Sequence, residues 1–398
     1  MIDLRAARES PDAMRAALAR RGAGDAFDTL LAADERWRAL VPQVDELRAQ
    51  QKIDGKPTPE QLEQLKRIKE QLRTLEDELA AAEREREHAL SQVPNPPHPS
   101  AADGTTDEDA IEMKRWGEPP QLEQPLEHTE VGNFELERAA KVSGARFGFL
   151  SGDTALLAFA LYRLALHHLV AEGFRPMIPP VLVREEAMYG TGFVPSDKSD
   201  YYAVPEDGLY LVGTSEVPLI GMHLDEIVDS LPLKYCAFSS CFRREAGAAG
   251  RDTRGMFRVH QLQKVEMVVY THPERSWDVH EEMLAVEESL VQKVGLPYRV
   301  VNSAAGDLSS AAAKRYDIEA WFPAQERYRE ITSCSNTTDY QARRSGIRYR
   351  TEDGKLATPH TLNGTAATDR WVLSLLENFQ GDVPDALQRY GAPARISR

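Results

Sequence analysis

The segment FRREAGAAGRDTRGMFRVHQLQKVE, residues 242–266, sets five arginines, two glutamates and three glycines into a short stretch of a chain whose net charge is −15 at pH 7. A guanidinium is a planar fork that gives two hydrogen bonds to paired oxygens, so such a cluster suits phosphate. Arg243 and Glu245 lie two apart, and Arg258 and Glu266 follow the glycine-containing stretch AGAAGRDTRG. The pattern predicts a strand, a loop and a return strand, with Arg243 and Glu245 on one side of a sheet and Arg258 and Glu266 on the return strand. Any one Arg–Glu pair could be a structural ion pair. The whole set beside a glycine-rich loop is better explained by a bound nucleotide, with cations on phosphate and a carboxylate accepting from an adenine amino group.

The elements that hold this segment must come from a chain of 398 residues, longer than the roughly 250–300 at which single cores stop growing, so two domains are expected. With 63 Asp and Glu against 48 Lys and Arg, the balance excludes a general nucleic-acid coat and leaves room for local basic patches. No run approaches the roughly 18 apolar residues of a membrane span, and MIDLRAARESPDAM has no apolar signal core, so a cytoplasmic protein without a membrane partner is expected. Cys236, Cys241 and Cys334 are too few and too oddly spaced for a disulfide framework or a zinc site, and read as buried reduced thiols.

Leu30, Ala33, Trp37, Leu40, Val44 and Leu47 recur in alternating steps of three and four, as do Leu62, Leu65, Ile68, Leu72, Leu75, Leu79, Ala82 and Ala89. Two such seams joined by QKIDGKPTPE predict an antiparallel helical hairpin, with Thr58 capping the second helix and Pro42 kinking the first. Periodicity alone leaves a dimerisation coiled coil open. The run VPNPPHPS ends the hairpin, and the acidic stretch after it places the domain boundary near residue 110. Beyond it, helical pieces such as TALLAFALYRLALHHLVAEGF alternate with strand-like VEMVVYT and YRVVNS, an α+β texture.

The opening segment resembles motif 2 of the class II aminoacyl-tRNA synthetases, about 241–266, and in detail that of the seryl-tRNA synthetases of the bacterial type. The resemblance runs over nearly the whole chain: the hairpin, VPNPPHPS, ERAAKVSGARFGFLSGD, GFRPMIPPVLVREEAMYGTG as motif 1 (about 173–183), LVGTSEVPL, REITSCSNTTDYQARR, and TLNGTAATDRWVLSLLENFQ as motif 3 (about 362–380). It implies an α+β catalytic domain over 111–398, built on an antiparallel sheet flanked by helices, and an N-terminal tRNA-binding arm and linker over 1–110. It also implies a homodimer joined through motif 1, with the arm reaching tRNA held by the other subunit. The implied reaction joins L-serine to ATP, with Mg2+, and passes serine to the 3′-terminal adenosine of tRNA(Ser), with tRNA(Sec) as a further acceptor. The tRNA is expected to touch the arm and the motif 2 loop.

Carried over residue by residue, the family's site makes Arg243, Glu330 and Arg370 the catalytic set. Thr214, Ser215, Glu216, Arg243, Glu266 and Thr365 would hold serine, Thr214 and Glu216 its amino group and Glu266 and Thr365 its hydroxyl. Arg243, Arg244, Glu245, Leu262, Glu330, Ile331, Thr332, Ser333 and Arg370 would hold ATP, and Glu330 and Ser333 would hold Mg2+. Thr365 after Asn363 and Gly364 could instead be a turn residue, and Ser333 a backbone cap. Three departures stand out: Leu262 where the family stacks a phenylalanine on adenine, a motif 3 shorter by one residue before Arg370, and a short arm with an atypical tip. Three further readings stay open. One is a specialised paralogue supplying seryl-tRNA to, or giving resistance in, an antibiotic pathway, and another is a non-catalytic synthetase-like regulatory binder. The third, a ligase charging a carrier protein, is disfavoured by the arm.

Overall fold

The computed structural model describes residues 1–52, 58–195, 198–246 and 255–397. The hairpin tip at 53–57 and most of the motif 2 loop, with Arg251 and Arg254, lie outside the described residues. The chain forms two compact units, Met1–Pro96 and Pro97–Arg398. This division lies ahead of the boundary expected near residue 110, because the stretch after the prolines hydrogen-bonds into the second unit. His98 N donates to Ala313 O at 2.8 Å, and Ala305 N to Ala102 O at 2.8 Å.

In the first unit, helices α1 (Gly24–Gln50) and α2 (Pro59–Gln92) lie side by side. Arg36 bonds Glu85 at 2.8 Å and Arg48 bonds Glu76 at 2.8 Å. One partner number rises as the other falls, as antiparallel helices require. Leu30, Ala33, Val44, Ile68, Leu72, Ala82 and Ala89 are buried along the seam, while Leu62, next to the tip, is exposed. Thr58 and Gln61 cap each other reciprocally, giving α2 its start. At 1.5 Å per residue, the 34 residues of α2 span about 50 Å. Pro42 lies inside α1 without ending it.

The second unit is built on eight strands: β1 (Ile111–Trp116), β2 (Arg175–Met177), β3 (Leu233–Phe242), β4 (Gln261–Thr271), β5 (Tyr298–Asn302), β6 (Lys314–Phe322), β7 (Arg327–Asn336) and β8 (His360–Thr368), in the order β1-β5-β6-β7-β8-β4-β3-β2. All neighbours are antiparallel except β2 and β3. Helices α3 (Gly152–Ala171), α4 (Ser276–Lys293) and α5 (Asp369–Phe379) pack on the sheet. Their apolar faces share one core with the sheet, including Leu161, Leu290, Val300, Ile318 and Trp371. Helix α3 is in fact long and apolar enough to cross a membrane, contrary to the expectation that no run comes near, but half of that span is buried in this core.

Two one-residue irregularities shape the sheet around its centre. Asp317 pairs with Ser333 and Ile318 with Thr332, but Glu319 pairs with Glu330, so Ile331 is an extra residue in β7. Likewise Thr365 faces Glu266 while Ala367 faces Val265, making Ala366 extra in β8. A bulge of this kind shifts the alternation of side chains by one. Glu330 and Ser333, three apart and otherwise on opposite faces, therefore share a face with Asp317 and Glu319.

The hairpin of β3 and β4 is present, with Phe242 opposite Gln261, but it is shorter than expected. Arg243 stands just past β3, Glu245 has φ of 52°, and Arg258 precedes β4. Arg243 N still donates to His260 O at 2.9 Å, after which the positive φ at Glu245 turns the chain out of the sheet. Arg243 and Glu245 thus approach the site from a turn, and Arg258 from the segment leading into β4.

Candidate active site

A groove of about 920 Å3 lies over the sheet centre, lined among others by Thr214, Glu216, Arg243, Glu245, Lys264, Glu266, Glu330, Ser333, Asn363 and Arg370. A smaller recess of about 70 Å3 shares Arg243, Glu245, Lys264, Glu330, Ser333 and Arg370 with it and adds Leu262, Ile331, Thr332, Thr365, Thr368 and Asp369. Most of the expected site residues therefore converge, although they come from three strands, two helix starts and two turns.

At one end, two carboxylates are buried close together. Glu216 begins the short helix Glu216–Gly221, and its Oε1 accepts from Gln341 Nε2 at 2.6 Å and Asn363 Nδ2 at 2.8 Å. Burial, then the nearby charge of Glu266, pushes the Glu216 carboxyl up to about 7, against the pull of Gln341, Lys264 and Arg243. Glu266, on β4, is 1% exposed and ion-paired with Lys264 two residues earlier on the same face. Burial raises its pKa too, while Lys264, Arg243 and the Thr214 hydroxyl oppose the rise. Thr365 stands across from Glu266 on β8, and its hydroxyl accepts from Lys264 Nζ at 3.4 Å. Thr365 is thus a strand residue, not a turn residue.

Neutral and charged hydrogen-bonding groups here surround a space that suits a small zwitterion. The groups brought together are the carboxylates of Glu216 and Glu266, the hydroxyls of Thr214 and Thr365, and the guanidinium of Arg243. Gly213 lets the Tyr201 ring approach the backbone beside Arg243. A Cβ there would meet Tyr201 Cε1 at 2.6 Å, and its carbonyl accepts from Arg243 Nε at 3.2 Å.

The other end is built from guanidiniums. Arg370, second residue of α5, donates through Nη1 to Glu330 Oε2 at 3.0 Å and Glu330 O at 3.2 Å. The walls of the groove desolvate Glu330 and push its pKa up, but Arg370, Arg315 and Arg243 outweigh that and hold it below the usual carboxylate range. Water still reaches it, with 48% of the side chain exposed. Glu245 is ion-paired with Arg258 at 2.5 Å, so that pair is structural as well as groove-lining. Asp369 is buried, accepts from Tyr162 OH and from Gln263 N at 2.8 Å, and is pushed up to about 6 by burial.

A divalent cation was expected between Glu330 and Ser333. Among the described residues no cluster of three His, Cys, Asp or Glu is arranged to hold a metal by itself. The bulge at Ile331 nevertheless turns one carboxylate and one hydroxyl to the same face. This small set of hard oxygens fits Mg2+, which keeps waters and takes substrate phosphates as further ligands.

Two expected residues lie elsewhere. Ser215 is buried, with its hydroxyl 2.6 Å from that of Ser239, and does not line the groove. Arg244 is exposed and lies over the Tyr202 ring at 5.8 Å, outside both cavities. Ile331 and Thr332 hold the site's frame together: Ile331 O accepts from Trp371 Nε1 at 3.1 Å, and the Thr332 hydroxyl donates to Thr365 O. Ser333 lies within β7, not at a cap. Lys264, Asn363 and Gln341 were not anticipated. The first two carried a signal, each lying two residues before an expected site residue on one strand. Gln341 carried none, because it comes from a separate helix, Tyr340–Arg344.

Comparison with known proteins gives the same picture over the full length. Residues 1–97 match the model of the seryl-tRNA synthetase N-terminal domain, and residues 202–379 that of the tRNA synthetase class II core domain for G, H, P, S and T. The chain is 47% identical over 411 residues to a serine–tRNA ligase of Thermobifida fusca, covering 98% of this chain and 97% of the relative. The crystal structure of seryl-tRNA synthetase from Pyrococcus horikoshii complexed with ATP superposes with a TM-score of 0.93 at 37% identity, covering 100% and 99%. That of the cytoplasmic serine–tRNA ligase from Naegleria fowleri with AMP does so with 0.87 at 34%, covering 97% and 95%.

Proposed function

This chain belongs to the seryl-tRNA synthetase family of class II and is a serine–tRNA ligase, and we propose that the groove over the sheet centre carries out both of its half-reactions. The observation that supports this most is the junction of the buried Glu216–Glu266–Lys264 end with the guanidinium end at Arg243. Glu216 and Thr214 take the serine ammonium, and Glu266 and Thr365 its hydroxyl. Arg243 bridges the serine carboxylate and the α-phosphate of ATP. The carboxylate oxygen attacks the α-phosphorus, its bond to the β-phosphate oxygen breaks, and pyrophosphate leaves. A terminal ribose hydroxyl of tRNA then attacks the seryl carbonyl and AMP departs. Positioning and charge neutralisation carry both steps, with no covalent protein intermediate.

Glu245 and Leu262 line the adenine end, and Arg370 the γ-phosphate end. Glu330 and Ser333 would hold Mg2+, which when bound adds positive charge against the phosphates. Alanine would leave Glu266 and Thr365 without a partner, a discrimination that can reach ~10⁴–10⁵ without editing.

The helical hairpin is the tRNA-binding arm in this reading, tRNA(Ser) the acceptor and tRNA(Sec) a further one, and the motif 2 loop the second contact. The chain acts in the cytoplasm as a two-fold homodimer. Phe159 on α3 and Ile178 just past β2 are 66% and 92% exposed, in keeping with a subunit contact through motif 1. Serine-dependent ATP–pyrophosphate exchange, followed by charging of total tRNA, tests the reading. Deleting residues 27–92 should spare exchange and remove most charging. Charging near the parental rate would reassign the arm to dimerisation.

A further inference from the structure

Phe257 leads into β4 and is buried, with its ring edge-on to Phe322 at 5.6 Å between centroids. It lines both the recess and the groove, and two cations lie over it. The Arg329 guanidinium carbon is 3.6 Å from the ring centroid and that of Arg370 is 4.6 Å. Arg370 has Glu330 as a carboxylate partner at 3.0 Å. Arg329 donates through Nη1 to the neutral Gln325 Oε1 at 2.6 Å. Two like charges gathered at one place repel each other, and the ring's negative faces attract both. A phosphate entering the groove competes with Glu330 for Arg370, whereas the ring contact can persist, since a guanidinium binds an aromatic face through its plane and phosphate through its edge.

We propose that Phe257 is a positioning residue for ATP: its ring holds Arg329 and Arg370 together as one cationic pair for the phosphates beyond the α-position. The proposal rests on the reading of the groove as the ATP site. It separates two duties that the pocket's apolar wall could have. A base platform would act on adenine, and so on AMP and ATP alike. A cation platform acts on the phosphates that ATP has and AMP lacks.

The test is calorimetric binding of ATP and of AMP to the full chain, with Michaelis constants for ATP and serine in pyrophosphate exchange. Phe257→Leu, which keeps apolar bulk and removes the ring, should weaken ATP about five- to tenfold and AMP less than about twofold, with the serine constant unchanged. Phe257→Tyr should stay within about twofold of the parent, since the aromatic face remains. The proposal is overturned if Phe257→Leu leaves ATP affinity intact, if it weakens AMP as much as ATP, or if Phe257→Tyr loses as much as Phe257→Leu. Should the leucine variant fail to fold, Phe257→Met meets the same criteria. Arg370→Ala keeps the two levels apart. Weak ATP binding there with normal binding in Phe257→Leu defeats only this proposal. Intact ATP binding in Arg370→Ala, with no serine-dependent exchange in the parent, defeats the reading of the groove as well.

Discussion

The two ends of the groove solve opposite electrostatic problems. The end proposed for serine gathers two buried carboxylates and pairs them in advance, Glu216 with two side-chain amides and Glu266 in an ion pair with Lys264. The end proposed for phosphate gathers arginines and lends them a half-exposed carboxylate, Glu330, and the ring of Phe257. The first arrangement is costly to disturb, because a buried charge left unpaired has no water to turn to. The second can exchange partners, because Arg370 can hand its contact with the half-exposed Glu330 to an incoming anion while water covers the transition. In the proposed reading, selectivity therefore belongs to the closed end, and substrate turnover to the open one.

The largest expected effect breaks the closed end. Glu266→Ala removes the charge facing the serine hydroxyl and strands Lys264, which is 6% exposed. Stability should fall by about 3 kcal/mol, in the range for breaking a buried ion pair. The kcat/KM for serine should drop about 10³-fold and discrimination against alanine should vanish, measured by exchange with each amino acid. A variant that rejects alanine as well as the parent would assign the hydroxyl contact to another group.

A pH titration sharpens the contrast. Glu216 has its pKa raised to about 7, so the neutral acid dominates below that pH and the carboxylate above it. Only the carboxylate attracts the serine ammonium. The kcat/KM for serine should therefore fall roughly tenfold per unit as pH drops below about 7, a limb that reports the free enzyme. Glu216→Gln should show no such limb, at a much lower plateau. For ATP no limb is expected near 7, because the guanidiniums hold Glu330 below the usual carboxylate range and themselves stay charged. Coincident limbs for both substrates would mean that the two ends titrate as one unit.

The two ends also differ in how far they could be read from sequence. The helical arm was legible because a seam of leucines every three to four residues has one common solution, and Thr58 and Gln61 carry their capping chemistry locally. Glu266 and Lys264 were legible in principle, since a strand's period of two places them on one face. Glu330 and Ser333 were legible only through the family resemblance, because three apart on a regular strand means opposite faces, and only the extra Ile331 brings them together. Bulges are set by pairing across strands far apart in sequence. For the same reason Arg243 and Glu245 were expected on a strand that ends one residue too soon, where a positive φ at Glu245 takes over. Gln341, reaching Glu216 across 125 positions, had no local trace at all.

The smallest expected effect lies at Leu262, on the wall of the smaller recess. Its side chain is partly buried against the main core and lines the recess beside Thr368, Asp369 and Arg370. A leucine offers adenine dispersion contact but no π-face, so Leu262→Phe should lower the Michaelis constant for ATP about two- to fourfold, at the low end of one aromatic contact's worth. The serine constant should hardly move, because serine's expected contacts at Glu216, Glu266 and Thr365 are made by other side chains. Here the gain should be equal for ATP and AMP, since the added ring meets the base, in contrast to the phosphate-dependent loss expected at Phe257. An unchanged constant for both nucleotides would show that the pocket has packed itself around leucine. A gain confined to ATP would instead mean that the new ring, like Phe257, acts through Arg370, whose side chain lines the same recess.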